Sequence, residues 1–232
     1  MLRFRTLCAR HGFPITDTQL SLLERYVALL LEWNKKINLI SRKDEDNVWQ
    51  KHILHSISPL FRVALPMGCR LIDLGSGGGL PGIPLKILND SMQTVLLDAT
   101  KKKTVAVDEI VKELNLSDTT VVWGRAEEIG RKKEFQGRFD VAVARGVGPL
   151  SELVHLAVPF MTSVQMQTSE EGKRPYLATP CLLAYKGGNL EMEIEKSRRS
   201  KQVADITELV LTGEEDGGWT DKKLVIVHLG KS

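Results

Sequence analysis

The residues best placed to do chemistry lie in one stretch, Leu71-Ile72-Asp73-Leu74-Gly75-Ser76-Gly77-Gly78-Gly79. A short apolar run, read as a strand, delivers a carboxylate and then a bend of bare backbone. Glycines there permit positive φ and let a ligand approach the main chain closely. Helix-like sequence from Pro81 to Leu88 follows, so amide N–H groups are expected to face whatever lies over the bend. Two nucleoside cofactors compete for such a loop. Gly77 to Gly82 fits the GxGxxG dinucleotide fingerprint, although its first glycine is not the first after the strand. Asp73 argues against a dinucleotide, because a carboxylate two residues before Gly75 would repel a pyrophosphate. It suits the cationic amino group of S-adenosylmethionine, directly or through water. Like unit charges ~4 Å apart cost roughly 1 kcal/mol in water and more in a partly buried cleft. A tight turn with no ligand is the plain structural alternative.

Three further positions fall at strand ends. Asp98 closes the second strand and can accept hydrogen bonds from ribose hydroxyls, a role that fits NAD equally well. A helix cap before Lys101 is its structural alternative. Arg125-Ala126-Glu127 follows the third strand, where backbone groups around Ala126 and Glu127 would read an adenine edge. Arg145 ends the fourth strand; it suits a substrate phosphate or the donor's carboxylate, or a plain salt bridge. The expected donor site is thus Asp73, Gly75, Ser76, Gly77, Leu80, Asp98, Ala126, Glu127 and Arg145. No metal site is expected. His52 and His55 lie three apart on a presumed helix without further ligands, which favours a surface or RNA-facing place. Cys8, Cys69 and Cys181 lack zinc-ligand or redox spacing. Pro180-Cys181 superficially matches the Pro-Cys of cytosine C5 methylation, but it opens an apolar strand, so a buried thiol is expected.

These positions need a scaffold, and strands alternating with helices supply one. Strands are read at CRLIDLG, TVLLD, TVVWG, FDVAVARG and PCLLAYKGG, with helices near 81–88, 102–114, 149–161 and 189–201. ITELVLTG and KLVIVHLG close the chain as a hairpin joined by a turn rich in Gly and Asp. The alternation predicts an α/β fold with a doubly wound, mostly parallel sheet. Before it, residues 17–33 and about 47–61 read as helices, with Asp17 a candidate cap. The predicted organisation is a helical region at 1–67 and a sheet domain at 68–232. Residues 162–179 are polar and unpatterned, so a mobile loop is expected.

The chain has 232 residues, of which 42% are apolar and 26% charged, enough for a globular core. Residues 1–67 carry ten Lys/Arg against six Asp/Glu, while 151–232 carry ten against twelve. Positive charge therefore gathers near the N-terminus, where a polyanion could be met; a solvated helical face explains it as well. The first residues lack a signal peptide's apolar core, and no apolar run is long enough to span a bilayer. A cytoplasmic protein is expected.

In combination these motifs resemble the glucose-inhibited division protein B family, bacterial 16S ribosomal RNA guanine-N7 methyltransferases. The resemblance covers roughly 15–160 and the strand at 181–188. It rests on Trp33-Asn34-Lys35 with Asn38-Leu39, His52-Ile53-Leu54 with Ser56, and DLGSGGGLPGIP from Asp73 to Pro84. Leu97-Asp98, Arg125-Ala126-Glu127, Ala144-Arg145 and Lys186-Gly187 follow in order. The resemblance implies S-adenosylmethionine contacts at Gly75, Leu80, Ala126, Glu127 and Arg145. It also implies a seven-stranded methyltransferase fold and 16S ribosomal RNA, or the small ribosomal subunit, as partner. His55 stands where the family usually has Asp, Gly146 where it usually has Ala, and the 162–179 segment is longer than usual.

Guanine N7 has a lone pair and no proton, so a missing acid–base pair agrees with that chemistry, which needs alignment instead. The place where exocyclic-amine methylation carries Asn/Asp-Pro-Pro-aromatic reads Arg145-Gly146-Val147-Gly148. Charge density marks Lys35, Lys36, Arg42, Lys43 and Lys51 as a phosphate-facing patch. Trp33 is expected to face the core rather than stack on a base. A methyltransferase with another substrate, an NAD-dependent oxidoreductase and a non-catalytic RNA-binding protein are the competing readings. Nothing in the sequence suggests an obligate dimer, and a monomer is expected.

Overall fold

The structure is a computed structural model that describes residues 2–166, 174–211 and 221–230. Seven strands form one sheet in the order β3-β2-β1-β4-β5-β7-β6. They are β1 (Arg70–Leu74), β2 (Gln93–Asp98), β3 (Thr119–Trp123), β4 (Val141–Arg145), β5 (Cys181–Gly187), β6 (Val203–Val210) and β7 (Lys222–Leu229). The first five run parallel; β7 is antiparallel to β5 and to β6. The chain order reverses beside β1, whose neighbours are β2 and β4. In doubly wound sheets ligands bind at this switch, outside the carboxyl ends of the strands.

Helices cover both faces, which is why the central strands read as near-continuous apolar runs, Asp73 apart, rather than alternating. Residues 71–74, 141–144 and 181–185 are all buried. One core joins α4 (Gly82–Leu88) and α5 (Lys101–Glu113) to the N-terminal helices α1 (Leu2–Arg10) and α2 (Asp17–Asn34). The other packs α6 (Ala126–Ile129), α7 (Leu150–Ala157) and α8 (Glu191–Arg198) on the opposite face. The N-terminal region thus shares a core with the sheet. At the sheet's amino end, the Arg70 guanidinium and amide clasp the Asp140 carboxylate at 2.8–3.1 Å, tying β1 to β4.

The helical opening differs from its sequence reading in three ways. Helix α1 has no counterpart among the helices read from the sequence. The cap of α2 is Thr16, not Asp17: its hydroxyl accepts from the Gln19 amide at 3.2 Å, and the Gln19 side chain takes the Thr16 amide in return. The expected helix at 47–61 is a chain of short irregular pieces. A 3₁₀ turn (Arg42–Asn47) leads to a π-helical turn (Trp49–Leu54), α3 (His55–Ile57) and a second 3₁₀ turn (Ser58–Phe61). Pro59 has no N–H to continue an α-helical ladder, and the wider π turn re-aims the side chains it carries.

The middle of the 162–179 segment lies outside the described residues, as does most of the turn between β6 and β7. The described flanks of the segment are packed. The Leu177 amide donates to Ala64 O at 2.8 Å, and Ala64 returns the bond to Pro175 O at 2.9 Å. Arg174 donates to Leu60 O and lies over the Phe13 ring. Among the described residues no helix is long and apolar enough to cross a membrane, and no cluster could hold a metal ion.

Candidate functional site

Strand β1 ends by placing Asp73 beneath the glycine bend, fully buried. Its Oδ2 accepts the Gly82 amide at 2.8 Å, so the carboxylate caps α4. A Cβ at residue 82 would clash with Leu96 Cδ2 and stand 2.9 Å from that oxygen, which is why glycine stands there. Oδ1 is buried and accepts no hydrogen bond from a described residue. Burial pushes the Asp73 carboxyl up to about 7, although the Gly82 amide and the Arg145 charge pull it down. A buried carboxylate oxygen without a donor fits a ligand that brings a cationic N–H, as the methionine end of S-adenosylmethionine does.

The bend is braced from within. Gly75 and Ser76 donate their amides to Leu97 O at 2.8 and 3.0 Å, and Gly79 and Leu80 donate to Ser76 O at 2.8 and 2.9 Å. Asp98 accepts the Gly77 amide on Oδ2 at 2.9 Å and the Thr100 amide on Oδ1 at 2.7 Å. The sequence reading expected free amides over the bend. Most of them are spent on its own shape, and Asp98 first serves as a loop brace. Each Asp98 oxygen keeps a second lone pair for a ribose hydroxyl. Ala126 and Glu127 open α6 across the carboxyl edge, where first-turn N–H groups have no intrahelical acceptor.

The N-terminal region closes over the bend. Tyr26 Oη donates to Gly78 O at 2.8 Å, and the Tyr26 side chain is fully buried. A Cβ on Gly78 would meet Leu30 Cδ1 at 2.9 Å and Leu39 Cβ at 3.2 Å. Asn34 holds the turn after α2 by accepting the Leu39 and Ile40 amides at 2.8 and 3.0 Å. The family-like stretch from Trp33 to Leu39 thus sits beside the glycine bend. Trp33 itself packs partly buried against the core, as expected, with Lys36 Nζ 4.8 Å from its ring.

Arg145 leaves β4 toward the N-terminal helices and donates from Nη2 to His52 Nδ1 at 3.2 Å. His52 Nε2 lies 3.4 Å from Asp44 Oδ2, and Lys51 Nζ binds the other Asp44 oxygen at 2.5 Å. Burial and then the Arg145 charge push the His52 imidazole down to about 4. His55 is buried, meets the Tyr185 ring edge to face, and is pushed down to about 3 by burial and then by Arg145. Of the expected surface or RNA-facing place, the surface part is corrected: His52, in the π turn, and His55, directly after it, turn inward against β4 and β5. Lys51 is likewise paired with Asp44 rather than standing as a lone surface cation. Lys35, Lys36, Arg42 and Lys43 are exposed, with Lys36 3.5 Å from Glu32. Cys181 is fully buried and burial pushes its thiol up, so it is no nucleophile.

Four residues of the site escaped the sequence reading in these roles. Tyr26 lies within the stretch read as a helix over 17–33 and has no role in that reading. Tyr185, whose hydroxyl donates to Ser56 O at 2.5 Å, looked like strand core. Val147 lies over the glycine bend, so close that a Cβ on Gly75, where φ is +76°, would stand 2.8 Å from its Cγ2. Glu193 accepts the Leu150 amide at 2.8 Å and Lys186 Nζ at 2.7 Å, while Lys186 also donates to Gly148 O at 2.9 Å. Together they fix the 146–150 loop. Lys186-Gly187 and Arg145-Gly146-Val147-Gly148 are legible in the sequence, neither in this role.

Solved structures share this architecture. An O-methyltransferase from Agrobacterium tumefaciens, described as predicted, superposes with a TM-score of 0.57 at 14% identity, over 78% of this chain and 81% of its own. A variant of MtNAS in complex with S-adenosylmethionine gives 0.52 at 12% identity, over 92% and 76%. These likenesses show a shared α/β fold with a seven-stranded, mostly parallel sheet. The family model described as GidB, rRNA small subunit methyltransferase G, matches residues 19–222. Relatives named ribosomal RNA small subunit methyltransferase G include one from Moorella thermoacetica, 30% identical over 94% of this chain and 85% of its own. Another, from Chlorobaculum tepidum, is 35% identical over 96% and 95%. The chain belongs to the GidB family.

Proposed function

We propose that the protein transfers a methyl group from S-adenosylmethionine to N7 of a guanine in 16S ribosomal RNA, acting as a monomer in the cytoplasm. Family membership supports the RNA substrate, and one observation carries the reading of the site. The buried Asp73 carboxylate backs the glycine bend, and the cation Arg145, held by His52, lies within electrostatic reach of it.

Bound S-adenosylmethionine supplies an electrophilic methyl carbon, and guanine N7 can attack it without a general base. The chain's own work is to hold and align. Asp73 Oδ1 takes the cationic end of the donor, Asp98 the ribose, and the first turn of α6 the adenine edge. Leu80 and Gly75 shape the floor of the cradle. Val147 and the N-terminal helices limit water at the bend. Arg145 offers a fixed positive charge to a carboxylate or phosphate.

We assign RNA docking to the helical region at 1–67, with Lys35, Lys36, Arg42 and Lys43 at phosphates and Lys51 deeper, beside Asp44. The sheet domain at 68–232 carries the donor. Incubating the purified protein with methyl-labelled donor and undermethylated small subunits tests the reading. N7-methylguanosine in digested 16S RNA is the expected product. Label on another atom, or none on the RNA, overturns the substrate assignment.

A further inference from the structure

A cavity of about 740 Å³ opens at the carboxyl ends of β4 and β5, between the 44–55 helical stretch and the 146–148 loop. That volume suits a ligand of nucleotide size. Its described lining carries the cations Lys51, Arg145, Lys186 and Lys222 and the carboxylate Asp44, with Lys51 paired to Asp44 and Lys186 paired to Glu193. Part of its wall is aromatic: the buried rings of His55 and Tyr185 meet edge to face, with centroids 5.3 Å apart. The cavity also adjoins the glycine bend, because Val147, which lies against Gly75, is part of its lining. A cation-rich rim, an aromatic wall and direct contact with the donor cradle are what a methyl acceptor carried on a polyanion requires.

In a paired RNA helix, N7 of guanine faces a deep, narrow groove that side chains cannot read. Enzymes that modify such an atom take the base from a single strand or extrude it into a pocket with aromatic walls. We propose that this cavity is the subsite for the extruded acceptor nucleotide, with the base against His55 and Tyr185 and its phosphate met by Lys222. The subsite rests on the methyl-transfer reading above. It places the methyl acceptor on the β4–β5 side of Val147 and the donor on the β1–β2 side. Arg145, bonded to His52 on the cavity side and sensed electrostatically by Asp73 on the donor side, joins the two. Lys222 opens β7 at an exposed position, so its head group can be changed with little disturbance to the core.

The test compares wild type, Lys222→Glu and Lys222→Gln for methyl transfer to small ribosomal subunits and for donor affinity by calorimetry. Lys222→Glu is expected to raise KM for the subunit about tenfold and leave donor affinity unchanged. Lys222→Gln is expected to flatten the dependence of log affinity for single-stranded RNA on log salt by about 0.7, one phosphate contact. Wild-type KM and salt slope in both variants overturn the subsite. Equal loss of donor and RNA binding in both also overturns it, since Lys222 would then support the fold. A wild-type protein that methylates no ribosomal RNA overturns the parent reading instead, before any variant is compared.

Discussion

Arg145 gives a hydrogen bond to Nδ1 of His52 at 3.2 Å, and only one tautomer of the imidazole permits it. A guanidinium has no acceptor, so Nδ1 must be bare and the ring proton must sit on Nε2, toward Asp44. Asp44, His52 and Arg145 thus form a line that holds the half-buried Arg145 guanidinium at the carboxyl end of β4.

Replacing His52 separates positioning from packing. Asn presents an amide oxygen near the place of Nδ1, while Ala presents nothing. His52→Ala is expected to lower kcat about tenfold or more, and His52→Asn to recover much of it, with donor affinity little changed in either. The magnitude follows from a charge-assisted hydrogen bond of roughly 1.5–3 kcal/mol. Equal kcat in the two variants contradicts the positioning role.

Asp73 ties donor binding to pH. Its carboxyl is pushed up to about 7, so part of the protein carries a proton there at neutral pH, while a cationic ligand needs the carboxylate. Donor affinity is therefore expected to fall as pH drops below 7, with proton uptake or release on binding visible by calorimetry in buffers of different ionisation enthalpy. The folded pKa lies above the unfolded one, so the favourable contribution is complete below about pH 4 and is lost as pH rises through 7. Asp73→Asn, which cannot ionise, is expected to lose less stability than wild type between pH 5 and 8, while binding the donor more weakly at pH 8. Thermal melts across that range check the first part and titration the second.

Tyr26→Phe removes one hydroxyl and leaves Gly78 O without its donor in a buried place. The expected cost is about 1–3 kcal/mol in a denaturant melt, with a higher KM for the donor because the bend loses its outer clamp. A variant as stable as wild type contradicts the clamp.

Reversing Lys35, Lys36, Arg42 and Lys43 together is expected to weaken RNA binding and its salt dependence strongly. Donor affinity should stay the same, since none of the four touches the bend. Joint loss of both affinities points to misfolding and removes these residues from the RNA surface.

The sheet and the donor bend were legible because their signals are local. Leu71 to Gly79 states a strand, a carboxylate and a turn within nine residues, and strands buried on both faces leave continuous apolar runs. The histidines were not legible. His52 lies in a π turn and His55 directly follows it, so their inward aim departs from the ordinary helical wheel and is not written in hydrophobic spacing. Asp98 was read as a ribose ligand from its position, but its bonds to Gly77 and Thr100 depend on the folded path of the bend. The cavity was hidden for a similar reason, since Asp44, His55, Val147 and Lys222 meet only after the β4–β5–β7 pairing is made.

Mass spectrometry of 16S ribosomal RNA from cells lacking this protein decides whether it methylates guanine N7. One N7-methylguanosine is expected to disappear and to return with the wild-type gene but not with a variant that cannot bind the donor. An unchanged N7-methylguanosine profile in the deletion strain contradicts the account.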